Sequence, residues 1–215
     1  MQTRESALKI PRLILASASP HRAALLSQIG LTFEVRPSDI VEPPLNMHVG
    51  GVSGETPKQK HPDTASQVTQ ELALLKAVDV AQHFDEAIII GADTLVSLDG
   101  KLLGKPADDA DAFEMLTHLS GTCHEIVTGV ALVDVRTERE IVWAETTQVY
   151  FRELHSTEID AYVSSGEASD KAGAYGIQGR GAVFVRRIEG CYFSAVGLPL
   201  ASLVEHLSNF QFREN

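Results

Sequence analysis

Apolar and polar residues alternate along this chain with two periods, and the places where the period switches outline the fold. Leu13-Ile-Leu-Ala16 is a continuous apolar run and predicts a buried strand. Ser19-Pro20 follows as a helix start, because serine caps well and proline at the first helical position loses no hydrogen bond. That helix runs to Ile29 and stops at Gly30, and Phe33-Glu-Val-Arg36 alternates like a half-exposed strand. From Pro37 to Pro62 all periodicity is lost in a long stretch rich in Gly, Pro, His and Lys. Thr64-x-x-Gln67 reads as a capping box, opening a helix to about His83 with an apolar face of Val68, Leu72 and Leu75.

Ala87 to Leu98 is a long apolar strand interrupted by one acid, and Asp99-Gly100 turns it back through Lys101-Leu-Leu-Gly-Lys105. A helix is expected over Asp108–Leu119, then strands over Glu125–Val135 and Glu140–Arg152, and a helix over Thr157–Val163. The Gly-rich segment 172–181 leads into an expected strand at Ala182–Arg187. Glu189-Gly190 then turns the chain into another strand, and Pro199 begins a last helix. There is no internal repeat and no regular βαβ alternation. The expected class is α/β, a mixed central sheet flanked by helices, with the Leu13 and Ala87 strands side by side at its centre.

Composition narrows the function classes. The 215 residues suit one large domain or two lobes sharing a core, and the 44% hydrophobic and 22% charged residues can fill that core. A net charge of −11 argues against nucleic acid polymers and anionic membranes as partners, although a small anion can still bind where bases cluster. Cys123 and Cys191 lie far apart, outside any Cys-x-x-Cys pattern, and are expected to be buried in a reducing cytosol. No run approaches a membrane span and the first eleven residues show no apolar h-region, so a cytoplasmic location is expected.

Candidate chemistry centres on Asp93. A carboxylate inside an apolar strand needs a metal, a basic partner or hydrogen bonds, unless it sits at a strand end and satisfies itself locally. The Asp99-Gly100 hairpin can carry Lys105 back toward it, and Arg22 and Lys76 complete a candidate basic cluster. An isolated lysine at position 76 would ordinarily be the solvated side of its helix. His21 and Arg22 are locally odd, since the first turn of a helix favours acids; an anion bound there would explain them, with Ser17 and Ser19 as further donors. Gln178, between glycines, suits an amide-like base edge. No P-loop and no His-x-x-x-His spacing occur, so zinc is not expected, whereas Glu42 and Asp93 with bound phosphates suit Mg²⁺ or Mn²⁺.

These blocks resemble a known family. Leu15-Ala-Ser-Ala-Ser-Pro-His-Arg22, Gly91-Ala-Asp-Thr94, Leu103-Gly-Lys-Pro106, Leu119-Ser-Gly121, Thr128-Gly129, Asp170–Gly179 and Val196-Gly-Leu-Pro199 are similar, in order and spacing, to Maf-type nucleoside triphosphate pyrophosphatases, also called septum formation protein homologues. The resemblance implies an inosine-triphosphate-pyrophosphatase-like (Maf/Ham1) fold with a cleft between two lobes. It also implies a divalent cation, and hydrolysis of a nucleoside triphosphate to monophosphate and pyrophosphate. Asp93, Lys105 and Glu42 would carry catalysis, Asp93 as proton acceptor, with Asp93 and Glu42 at the metal. Ser17, Arg22, Lys76 and Lys105 would contact phosphates, while His21, Thr94 and Gln178 would bear on base choice. Ala174-Tyr-Gly-Ile-Gln178 resembles the dTTP/UTP branch. A homodimer is expected by the same likeness. So is a domain over 12–210, preceded by an extension at 1–11 and carrying a loop insertion at about 45–62. The family commonly has a second arginine where this chain has His21. A rival expectation from another class is a non-catalytic nucleotide sensor that regulates cell division through a protein partner.

Overall fold

The computed structural model describes residues 12–41 and 64–210. The expected extension at 1–11 and the 45–62 insertion lie outside the described residues. The centre is a seven-stranded mixed sheet in the order β2-β1-β3-β5-β6-β7, with β4 pairing β3 off that path. The strands are β1 (Leu13–Leu15), β2 (Glu34–Val35), β3 (Ile88–Leu98), β4 (Lys101–Leu103), β5 (Cys123–Asp134), β6 (Arg139–Phe151) and β7 (Val185–Glu189). The helices are α1 (Pro20–Gln28), α2 (Thr64–Ala81), α3 (Asp109–Leu119), α4 (Ser156–Val163), α5 (Tyr192–Val196) and α6 (Leu200–Ser208). The fold is therefore α/β as expected, and the Leu13 and Ala87 strands do run side by side: β1 and β3 are parallel, Leu13 opposite Ile88 and Leu15 opposite Ile90.

One edge of β3 pairs with β5 from Ile88 to Ser97. Its other edge changes partner. It holds β1 at Ile88–Ile90 and β4 at Val96–Leu98, so the sheet forks at Gly91–Leu95. Ligand sites of open α/β sheets form where neighbouring strands diverge in this way, because the fork leaves a crevice.

The period-2 alternation of β3 decides what each residue meets. Ile88, Ile90 and Ala92 pack with Leu25 and Leu26 of α1 and Leu203 of α6, while Val96 packs with Leu116 of α3 and Ile159 of α4. These residues share one face of β3, so the two apolar groups sit toward opposite ends of that face. The opposite face, with Ile89, is covered by α2 through Ala73, Ala77 and Val80.

Helix α2 lies unusually close to the sheet. A Cβ on Gly91 would come within 2.1 Å of the Ala73 carbonyl oxygen, and one on Gly129 within 2.3 Å of the Thr69 carbonyl carbon. Only glycine in both strands, facing small residues on the helix, permits this seat. The same seat corrects the expected helix face: Leu72 is buried, but Leu75 is 51% exposed, because a stripe of alanines meets the sheet instead. The expected capping box rests on Thr64, whose side chain lies outside the described residues.

Three further expectations are corrected. Residues 180–184 form a 3-10 turn before β7 begins at Val185, since Glu167 accepts from the Arg180 and Gly181 amides and withholds them from a ladder. After Gly190 comes α5 instead of a strand: Cys191 Sγ caps the Ser194 amide at 3.4 Å and starts a helical turn. Neither cysteine is a core residue, because Cys123 begins β5 in the open and Cys191 is held part-buried at that cap.

Candidate active site

A cleft of about 680 Å³ opens at the fork of β3. Its walls come from the β1–α1 turn, the middle of β3, the end of β4, the Gly-rich loop after α4, and the C-terminal end of α5. Ser17, His21, Arg22, Lys76, Asp93, Thr94, Lys105 and Gln178 all line it. These residues lie up to 161 positions apart in sequence, from 17 to 178, and the fork gathers them in one place. Glu42 lies outside the described residues.

Asp93 and Thr94 are adjacent in β3 and therefore face opposite sides of the sheet. Asp93 points toward α2, where Lys76 Nζ donates to its Oδ1 at 2.6 Å. Lys76 reaches this position because Ala73, one helical turn earlier, is seated over Gly91, two strand residues before Asp93. Both charges are buried, at 9% and 6% exposure, so Lys76 is not the solvated side of its helix, as an isolated lysine would ordinarily be. The second carboxylate oxygen, Asp93 Oδ2, is buried without a hydrogen-bond partner among the described residues. An unsatisfied buried carboxylate oxygen is costly, and groups of this kind in clefts are candidates for functional sites.

Thr94 faces the other side and joins a relay. Its hydroxyl lies 2.9 Å from that of Thr128, its register partner on β5, and the Thr128 hydroxyl donates to the Ser194 carbonyl at 2.8 Å. Arg22 spreads its guanidinium over this relay. Nε donates to the Gly197 carbonyl at 2.9 Å, one terminal nitrogen to Ser17 Oγ at 3.0 Å, and the other to Thr94 Oγ1 at 3.0 Å. A basic residue in the first turn of α1 thus ties β1, β3 and α5 together, which offsets its unfavourable place at the helix start. Ser19 caps α1 by accepting from the Arg22 amide at 3.4 Å.

The opposite wall carries residues that sequence reasoning did not assign. Asp170 pairs with Lys171, and hydrogen bonding to Lys171, reinforced by the charges of Lys171 and Lys105, lowers the Asp170 carboxyl below its usual range. Glu167 grips the Gly-rich loop, and Tyr175 and Ile177 add apolar surface. Asp170-Lys171 immediately before the glycine run was the available clue. Glu167 carries no motif of its own, and its contacts arise only when α4 folds against the loop. Among the described residues no three His, Cys, Asp or Glu side chains gather around one point, so protein groups there do not form a closed metal cage.

A cleft lined by Arg22, Lys76, Lys105 and Lys171, with the buried Asp93 carboxylate among them, lies at a fork in the mixed sheet of an α/β protein. The chain belongs to the Maf-like protein family, whose pattern matches residues 12–210. It is 48% identical over 187 residues to the dTTP/UTP pyrophosphatase of Syntrophomonas wolfei, an alignment covering 87% of this chain and 91% of that protein. Two more relatives carry the same name. That of Ruminiclostridium cellulolyticum is 47% identical over 191 residues, covering 89% of this chain and 92% of that protein. That of Bacillus cytotoxicus is 45% identical over 199 residues, covering 93% and 95%. Among the described residues no helix is long and apolar enough to cross a membrane.

Proposed function

We propose that this chain hydrolyses dTTP and UTP to the nucleoside monophosphate and pyrophosphate. The observation that carries the reading is the buried Asp93–Lys76 pair on the cleft floor, with one carboxylate oxygen unspent among the described residues. The family membership and the names of the relatives supply the substrate class.

In this reading the triphosphate lies across the fork. Ser17 and the His21 amide at the start of α1 hold one end of the phosphate chain, with Arg22 fixing the Ser17 hydroxyl in place. Lys105 and Lys171 reach in side by side, the loop of Lys171 being tied to the end of β4 where the Gly173 amide donates to the Gly104 carbonyl at 3.0 Å. A water positioned by Asp93 attacks the α-phosphorus and gives its proton to that carboxylate. The bond from the α-phosphorus to the α–β bridging oxygen breaks, and pyrophosphate leaves with the electron pair. The surrounding cations stabilise the charge that accumulates on it, which is most of the work in phosphoryl transfer. Lys76 keeps Asp93 oriented from behind.

Asp93 Oδ2 fits a hard divalent cation, Mg²⁺ or Mn²⁺, because it is a carboxylate oxygen without a hydrogen-bond partner among the described residues, on a side chain that lines the cleft, and phosphate oxygens and Glu42 would complete the set. When bound, the cation supplies neutralisation of phosphate charge. The base lies toward Gln178, whose amide matches the carbonyl and N–H edge shared by uracil and thymine. Thr94 and His21 line the same cleft and bear on base choice. Action on the cytoplasmic nucleotide pool, as a homodimer, completes the proposal. The regulator reading gains nothing from the relatives, which are named for hydrolysis.

Incubating the purified chain with a nucleotide panel and Mg²⁺ or Mn²⁺ tests this. Pyrophosphate is expected from dTTP and UTP ahead of purine nucleotides. Release of orthophosphate alone would place the attack on a different phosphorus and overturn the mechanism.

A further inference from the structure

The loop that carries Gln178 is held by one acid. Glu167, in the turn after α4, is half-buried and lines the cleft. Its Oε2 accepts from the Arg180 amide at 3.0 Å, while its Oε1 accepts from the Gly181 amide at 3.4 Å and from the Tyr162 hydroxyl at 3.1 Å. That hydroxyl in turn accepts from the Gly176 amide at 3.1 Å. The segment is thus tied at both ends, Gly176 through Tyr162 and residues 180–181 directly, with Gln178 exposed on the span between them. A 3.2 Å bond from the Gly179 amide to the Gly176 carbonyl closes the turn.

The fit around the carboxylate is tight. A Cβ on Gly179 would stand 2.1 Å from Glu167 Oε1, so any side chain there displaces the acid. Burial alone would raise the Glu167 carboxyl, but the donated bonds outweigh it and lower it, so the group stays an acceptor. Two amide N–H groups and a hydroxyl converging on one acid need acceptors only. A glutamine there would turn an N–H₂ group toward an N–H, and the loop would let go at one end.

We infer that Glu167 is the positioning residue for base recognition, setting the place of Gln178 by clamping residues 176–181, and that it acts without touching the phosphates. The inference rests on the proposed nucleotide reading and deepens it. Glu167 is distinct in kind from Asp93: one holds the reading head of the site, the other faces the phosphate chain.

The test compares UTP, as its uncleavable α,β-methylene analogue, with tripolyphosphate, a ligand with the charge and no base, by calorimetric dissociation constants in one metal-containing buffer. Glu167→Gln should weaken UTP about tenfold, the scale of one misdirected polar contact. Tripolyphosphate affinity should stay unchanged. In a Gln178→Ala background, Glu167→Gln should weaken UTP no further, because the two residues act as one unit. Unchanged UTP affinity, an equal loss for tripolyphosphate, or full additivity with Gln178→Ala would each overturn the inference. If Glu167→Gln does not fold, Gly179→Ala carries the same comparison by pushing the carboxylate aside, with the same expected and overturning outcomes. Pyrophosphate release by the wild type is measured alongside. Its absence would sink the hydrolytic reading, while the UTP and tripolyphosphate constants still decide the role of Glu167.

Discussion

Asp93 and Thr94 share a peptide bond and little else. One is buried against a lysine from α2, and the other joins an arginine from α1 to the carbonyl end of α5 through Thr128. The alternation of a strand turns the two side chains to opposite faces with no extra machinery, and the proposed mechanism gives each its own role. Asp93→Asn keeps the shape and removes the charge. Turnover is expected to fall by roughly 10²-fold or more, with nucleotide binding retained because the cleft cations remain. The same change breaks a buried ion pair, so stability should fall by about 3 kcal/mol. Single-turnover rates, binding constants and chemical denaturation of one preparation separate these effects. A variant with near wild-type turnover would remove Asp93 from the mechanism.

At the scale of elements, α2 is where architecture and chemistry meet. It crosses β3 and β5 at glycines, and that close seat brings Lys76 to Asp93. Gly129→Ala would put a methyl group 2.3 Å from backbone atoms of Thr69, which no rotamer change relieves. The expected cost is about 3 kcal/mol of stability as the helix lifts from the sheet. Turnover should fall with it although residue 129 touches no ligand, because lifting α2 draws Lys76 away from Asp93. Denaturation midpoints beside turnover of the folded fraction check this. Loss of stability with full turnover would show that the helix seat and the ion pair are independent. Sequence periodicity did not reveal this seat. An alanine stripe carries little hydrophobic contrast, so the pattern favoured Leu75, which faces outward.

For the molecule as a whole, the second apolar group encloses a histidine. His124 is 1% exposed, packed edge-on against Phe151 at 4.9 Å and Tyr175 at 5.5 Å between ring centres. Its Nε2 lies 2.7 Å from the Tyr175 hydroxyl, and its Nδ1 has no partner among the described residues. Burial lowers its pKa from 6.5 to about 4, so the folded state holds it neutral. The unfolded chain binds that proton more readily. The stabilisation is therefore complete above about 6.5 and is lost as pH falls toward about 4, amounting to at most about 3 kcal/mol. Urea midpoints of the wild type should decline across that window, and His124→Gln should decline less. Parallel curves for the two proteins would show that other groups govern the acid limb.

Local chemistry determined much of this protein before any tertiary contact formed. The hairpin at Asp99-Gly100, the serine cap before Pro20, and the buried runs of β1 and β3 depend on near neighbours, and their physics is complete within a few residues. The mixed α/β class follows from the order of such elements, and an acid in the middle of an apolar run is conspicuous wherever it stands. What the tertiary structure alone decided involves groups far apart in sequence. The burial of Lys76 depends on two glycines in other strands. The role of Arg22 as a tie depends on Thr94 and Gly197. The 3-10 turn at 180–184 takes residues 182–184 from the start of the expected strand, beside the Arg180 amide that Glu167, thirteen residues earlier, holds. Each of these is a competition for a hydrogen bond or for contact space, and its outcome depends on which partner the folded chain brings within reach.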